Sequence, residues 1–195
     1  MVLALLFLWG ARLTYNWLRR WQGLSHEDWR YQRIREITGA WYPLANFFGI
    51  HLFPTLMVFV GCLSVVFAVQ HPEVSLSWLD ALGVLVTGFA IWIEARADRE
   101  LSDFLRANPA SAEFLQTGVW AWCRHPNYLG EVLFWWGLFL FGASVSAPWW
   151  IICGPLAMTF LFVGISIPMM DKRMCLRRDG YQEHMAQSNA IWPRF

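Results

Sequence analysis

Arg124-His125-Pro126-Asn127-Tyr128-Leu129-Gly130-Glu131 concentrates the residue types that do chemistry. Pro126 suits the first position of a helix, where its missing N–H removes no hydrogen bond. A helix starting there sets Arg124 and His125 beside its positive end. Free backbone N–H groups, the helix dipole and a guanidinium then make an anion site suited to phosphate or pyrophosphate. Asn127 and Glu131 are four apart and share one face, with Tyr128 beside them. A snorkelling interfacial arginine would account for Arg124 alone. It does not account for Glu131, an acid one turn into an apolar run, where ionisable groups mark function.

A second group lies in Glu94-Ala95-Arg96-Ala97-Asp98-Arg99-Glu100, where Glu94 and Asp98 stand on one helical face. Two like charges there repel unless a cation, hydroxyl groups or an arginine lies opposite; a solvated helix end is the plain alternative. A third is Arg12, Tyr15 and Asn16 in the first apolar stretch. Arg12 and Asn16 share a face, and an arginine there needs an acid or an anionic ligand unless it snorkels to the interface. A fourth is the tail, Asp171-Lys172-Arg173, then Tyr181, Glu183 and His184, then Ala190-Ile191-Trp192-Pro193. Cys62, Cys123, Cys153 and Cys175 are isolated, have no metal-ligand spacing, and read as small buried hydrophobes. No metal site is expected.

The elements that position these groups are membrane helices. Of 195 residues, 57% are hydrophobic and 15% charged, against about 25% charged in soluble domains. The 14 Trp fit bilayer interfaces, and a net charge of +1 gives no reason to expect a nucleic-acid partner. Five segments can cross about 30 Å of hydrocarbon: approximately Met1–Leu18, Ala45–Val69, Leu76–Ile93, Tyr128–Ala143 and Pro148–Met169. The first lacks the basic leader and small-residue cleavage site of a signal peptide, and its abrupt start leaves room for further helices upstream in related chains. The expected architecture is all-α: a polytopic transmembrane bundle of about five membrane helices, with cytosolic amphipathic helices, forming one domain over 1–195.

Fourteen of the 15 Lys and Arg fall in the connection Arg19–Pro43, the connection Arg96–Asn127 and the tail after Met170; the exception is Arg12. Gln70–Ser75 and Gly142–Ala147 have none. The positive-inside rule therefore puts the N-terminus outside and the C-terminus in the cytosol. Ser25 with Asp28 opens a helix through Glu36 in capping-box style. Glu94 to Leu105 prolongs the third membrane helix, and Arg173 to Gln187 is amphipathic, broken at Asp179–Gly180.

Several stretches together resemble the bacterial branch of the steroid 5α-reductase-like membrane family. They are Arg-His-Pro-Asn-Tyr-Leu-Gly-Glu after Gly118-Val119-Trp120, Glu-Ala-Arg-Ala-Asp at 94–98, Trp-Gly-Ala-Arg-Leu-Thr-Tyr-Asn at 9–16, and Asp-Trp-Arg-Tyr-Gln-Arg-Ile-Arg-Glu at 28–36. The tail, Ile-Pro-Met-Met-Asp-Lys-Arg and a closing Ile-Trp-Pro, is similar too. The resemblance spans essentially the whole chain. It implies NADPH as cofactor, reduction of a carbon–carbon double bond conjugated to a carbonyl, and a lipophilic substrate in contact with membrane lipids. It implies that Asp98, Asn127, Glu131 and Arg173 hold the nucleotide. The full candidate cofactor set is Arg12, Asn16, Arg35, Glu94, Asp98, Arg124, His125, Asn127, Tyr128, Glu131, Arg173 and His184. Tyr15 and Glu131 are the catalytic candidates, Tyr15 as general acid. Family members commonly have about seven membrane helices, and the polar pair that grips a steroid carbonyl has no obvious counterpart here.

Two other readings compete. A membrane methyltransferase resembling isoprenylcysteine carboxyl methyltransferase would share the Arg-His-Pro-x-Tyr core and use S-adenosylmethionine. That family has a Glu-Glu pair where this chain has Asp171-Lys172, and Asn127 and Glu131 favour the reductase. A truncated, non-catalytic membrane protein that keeps the fold is the third.

Overall fold

The computed structural model describes residues 1–21, 23, 27–107 and 113–193, which are predominantly helical, with no strand among them. In chain order the helices are α1 (Val2–Arg20), α2 (Trp29–Gln70), α3 (Trp78–Ala107), α4 (Pro126–Ser144), α5 (Trp149–Arg177) and α6 (Tyr181–Gln187). All five apolar segments are therefore helical, and the expected helix bundle is found. By length and composition α2, α3 and α5 are long and apolar enough to cross a membrane.

Local sequence sets the helix ends. Pro126 opens α4 as expected, with non-helical His125 (φ −133°, ψ 65°) before it. At the start of α3, Ser77 N–H donates to Asp80 Oδ2 at 2.8 Å and Leu79 N–H donates to Ser77 Oγ at 3.2 Å, a reciprocal cap. Ser144 Oγ donates to Asp80 Oδ1 at 2.9 Å, tying the end of α4 to the start of α3. The first turn of α2 is capped by Asp28, which accepts the Arg30 N–H at 2.9 Å. The expected cap Ser25 lies outside the described residues. The tail breaks at Gly180 (φ 73°), as the Asp-Gly pair predicts, and α6 follows.

Two prolines set the winding of the long helices. α2 is π-wound over Asn46–Leu52 and α5 over Leu161–Ser166, each ending two residues before a proline, Pro54 and Pro168. A proline ring clashes with the carbonyl four residues earlier, so the preceding turn widens. α2 also loses its regular winding at Gly39 (φ 50°, ψ −120°). None of its residues from Trp29 to Leu52 is buried. Only its later half, through Gly61, Ser64 and Val65, enters the core.

α3 and α4 form the most extensive helix pair. Small residues let their backbones meet: a Cβ on Gly130 would overlap Glu94 Cγ and come within 3.0 Å of the Ala90 carbonyl, and one on Gly137 would overlap Thr87 Oγ1. Without a hydrophobic drive between helices in lipid, such close backbone contact is what holds them. Around it pack Val65, Phe134, Trp135, Leu138, Phe141 and Met158, with the Trp9 ring stacked 4.4 Å from Phe134. A second buried group, including Ile93, Ala97, Val119, Cys123, Leu129, Ile167 and Ile191, lies toward the end that carries the arginines.

Candidate functional site

Arg12 projects from α1 between α3 and α4 and meets three acids. Its Nη2 pairs with Glu94 Oε2, its Nη1 lies 2.7 Å from Asp98 Oδ2, and Nη2 stands 3.6 Å from Glu131 Oε1. Arg20, two turns on, puts Nη2 3.7 Å from Asp98 Oδ1, and the Asn16 side chain reaches the same carboxylate. Glu94 is 1% exposed and Glu131 15%. Three carboxyls thus share two guanidiniums, with Arg12, Glu94 and Glu131 largely shielded from water. Glu94 and Glu131 face one another across the α3–α4 contact, close enough to share a hydrogen bond.

One turn nearer the rim, Asn127 lines a cavity of about 450 Å³, within the roughly 300–1,000 Å³ common for ligand sites. Every cytosolic element expected from the sequence contributes to its wall. Arg20 comes from α1, Asp28, Trp29 and Arg30 from α2, Leu101, Phe104 and Leu105 from α3, and Arg124, His125 and Tyr128 from the Arg-His-Pro-Asn-Tyr motif. Met170 and Met174 come from α5, and Tyr181 and His184 from α6. The lining therefore mixes guanidinium groups with the acids Asp28 and Glu113, two histidines, and apolar and aromatic side chains. Asn127 Oδ1 is a buried acceptor without a partner among the described residues.

Asp171 holds this end together. It accepts from Arg124 Nη2 (3.1 Å), His125 Nε2 (2.7 Å) and Tyr181 Oη (2.9 Å). Arg124 Nη1 also donates to the carbonyls of Met185 (3.2 Å) and Ser188. The backbone N–H groups of Arg124 and His125 donate to the carbonyls of Asn189 and Ala190 at 3.0 and 2.9 Å. The residues after α6 thus form a clasp on the motif. On the other side Gly118 (φ 62°) brings Val119 N–H to Glu100 Oε2 at 3.0 Å, and Trp120 Nε1 to the Ala97 carbonyl at 3.1 Å.

Burial, and then the Asp171 carboxylate, push the Tyr181 phenol up, so it remains a donor. Burial and then the nearby Arg124 lower His184, which favours the neutral ring. Burial drives the Cys123 thiol up to about 11 and makes it inert. Burial opposes ionisation of Asp28, but its hydrogen bonds from Arg30 overcome this and hold its carboxyl below the ordinary value.

The residues named from the sequence divide into four placements. Arg12, Asn16, Glu94, Asp98 and Glu131 form the buried cluster. Arg124, His125, Asn127, Tyr128 and His184 line the cavity, with Tyr128 5.4 Å from both the His125 and Phe162 rings. Arg124 is largely committed to protein acceptors, so it is a strut of the cavity wall as much as a receptor. Arg173 lies over the Trp29 ring at 3.9 Å, behind the wall. Two candidates fall outside. Tyr15 is 63% exposed with Arg19 over its ring, on the face of α1 away from the acids, so the expected general acid is not at the site. Arg35 pairs with Glu27 at 2.7 Å and covers the Tyr42 ring, away from the cavity. Arg20 and Arg30 are not among the sequence candidates, and Asp171 and Asp28 are named there only within the tail group and as a helix cap, without a role at the site. Asp171 carried the same signal as Glu131, an acid within a turn or two of the end of an apolar run.

The fold and this site define a helical membrane protein with a charged pocket at one end of its bundle. The chain belongs to the family described as "Protein of unknown function (DUF1295)", which matches residues 1–188. An uncharacterized protein of Schizosaccharomyces pombe is 29% identical over 210 residues, covering 96% of this chain and 61% of that protein. This chain therefore spans less than two thirds of that relative's length. No solved structure matches it.

Proposed function

We propose that this chain is a membrane reductase that draws on NADPH to reduce a carbon–carbon double bond conjugated to a carbonyl in a lipophilic, steroid- or isoprenoid-like substrate. The observation that carries it is the arginine-lined cavity set one helical turn above the buried Arg12–Glu94–Asp98–Glu131 cluster. The family to which the chain belongs is related to steroid 5α-reductase-like membrane proteins. Arg20, Arg30 and Arg124 would hold phosphates, and the unpartnered Asn127 carbonyl would accept from an amide or hydroxyl. Arginines of this kind also suit the 2′-phosphate that distinguishes NADPH from NADH. The cofactor supplies the hydride. The chain's own part is to orient, to exclude water, and to keep negative charge deep in the site, with Glu131 in place of Tyr15 as the acid. Five crossings, an outside N-terminus and a cytosolic C-terminus go with this reading, which puts the cavity where NADPH is available.

A second reading, S-adenosylmethionine-dependent methyl transfer, is favoured by that same excess carboxylate, which would suit a sulfonium cation. Thermal unfolding of the purified chain separates the two. NADPH at about 100 times its dissociation constant should add about 2.7 kcal/mol of stability, with NADH adding less. Stabilisation by S-adenosylmethionine and none by NADPH would overturn the reductase reading. Consumption of NADPH on adding lipophilic enones then identifies the substrate.

A further inference from the structure

Trp29 enters the cavity from the first turn of α2, and its ring is braced from one side. Arg173 of α5 lies over it at 3.9 Å and is not itself part of the cavity lining. Asp28 and Arg30, the residues on either side of Trp29, are locked to each other by paired hydrogen bonds of 2.9 and 3.0 Å, which fixes the turn that carries the ring. Other cavity aromatics are already matched. Phe114 packs against Tyr181 and His184 at 5.1 and 5.0 Å, and Tyr128 packs against His125. No aromatic ring of the described residues lies against Trp29. We propose that Trp29 is the stacking platform for the base of a nucleotide bound in the cavity, with Arg173 bracing that platform from behind rather than touching phosphate.

An indole face on a cavity that also presents the guanidiniums of Arg20 and Arg30 suits a planar ring tied to phosphate. Every nucleobase has a π-face, so stacking on an aromatic side chain needs no particular base. A lipophilic enone offers the neighbouring guanidiniums no phosphate. A cation is attracted to the face of an indole, and the flat guanidinium of arginine lies on it better than an ammonium would. With Arg173 on the back of the ring, the front is the face left for a ligand. Arg177 and Arg30 add to the positive field at Arg173, and Asp28 offsets part of it. A neutral purine is therefore a better occupant of the front face than a cationic ring. The resemblance to the reductase family gives Arg173 to the nucleotide directly; its place behind Trp29 makes it a positioning residue instead. This role rests on the cavity's being a nucleotide site, as proposed above, and assigns the part of the nucleotide that meets α2.

ADP and inorganic pyrophosphate are the probes, since both carry linked phosphates and only ADP carries a base. Titrated calorimetrically against the full chain in detergent, Trp29→Leu should weaken ADP binding about tenfold or more and leave pyrophosphate binding unchanged. Trp29→Phe, which keeps a flat ring, should retain most of the ADP affinity. Arg173→Gln alone should weaken ADP and spare pyrophosphate, and combined with Trp29→Leu it should have no further effect. Equal weakening of both probes by Arg173→Gln would return that arginine to the phosphates and overturn its bracing role. The platform is overturned if neither probe binds, if Trp29→Leu leaves ADP binding unchanged, or if it weakens both probes alike. Should NADPH stabilise the chain while ADP binding ignores Trp29, the reductase reading stands and the platform falls. Should ADP binding depend on Trp29 while NADPH gives no stabilisation, the platform stands and the reductase reading falls.

Discussion

Asp171 draws three side chains from three parts of the chain onto one carboxylate, which makes Arg124 a test of how this end is built. Arg124→Ala would leave a buried carboxylate short of its guanidinium and strip the donors from the Met185 and Ser188 carbonyls. Breaking such a pair costs about 3–5 kcal/mol, readable as a lowered thermal unfolding temperature in detergent. Arg124→Lys should recover little, because one ammonium cannot reach acceptors that a planar fork spans. An Arg124→Ala chain that melts like wild type would show that the clasp contributes nothing. At this scale the sequence was legible wherever a charge fell inside an apolar run: Arg12 required an acid and found three. It did not fix which way Tyr15, the expected general acid, points, since the face a residue turns to the bundle depends on neighbours that helical periodicity does not name. Asp171 was visible as part of the tail group, but its three partners come from α6 and the Arg124-His125 motif, which spacing along the chain does not bring together.

Between elements, the close approach of α3 and α4 depends on what Gly130 and Gly137 lack. Gly130→Ala and Gly137→Ala should each destabilise by about 1–3 kcal/mol, since neither backbone has room to move aside without disturbing Glu94 or Thr87. Gly88→Ala meets open space and should be neutral or mildly stabilising. If all three variants unfold alike, the small-residue seam is not what holds the pair. The packing of α6 has a pH signature instead. His184 binds a proton less readily when folded than when unfolded. Its contribution is therefore present above the ordinary value of 6.5 and is lost as pH falls below it. Wild-type stability should drop more between pH 7 and pH 5 than that of His184→Gln; identical slopes would remove His184 as the cause. The helices themselves were legible because apolar length, Pro126 and the Asp179–Gly180 break act locally. The π-wound turns were not, because they arise from how each proline's ring meets the carbonyl before it within a packed helix.

For the molecule as a whole, the arginine-bearing connections meet at one end while Ser77, Asp80 and Ser144 close the other. A membrane-impermeant thiol reagent should therefore label Glu73→Cys and Arg106→Cys from opposite sides, with Arg106→Cys accessible from the cytosol. Labelling of both from one side would refute the five-crossing arrangement. The basic-residue count carried this expectation without any structure, because topology follows charge; the shape of the cavity could not be foreseen, since its wall is assembled from six helices spread along the sequence. That assembly has a consequence for biogenesis. The carbonyls that secure Arg124 and His125 belong to Met185, Ser188, Asn189 and Ala190, which a ribosome makes after every membrane helix described here. Until they emerge, Arg124 and Asp171 sit in a half-built wall, and the pocket has no floor on the α6 side. Completion of the cavity thereby waits on the last residues made, and a chain stopped before Tyr181 would leave Arg124 and Asp171 without part of their packing.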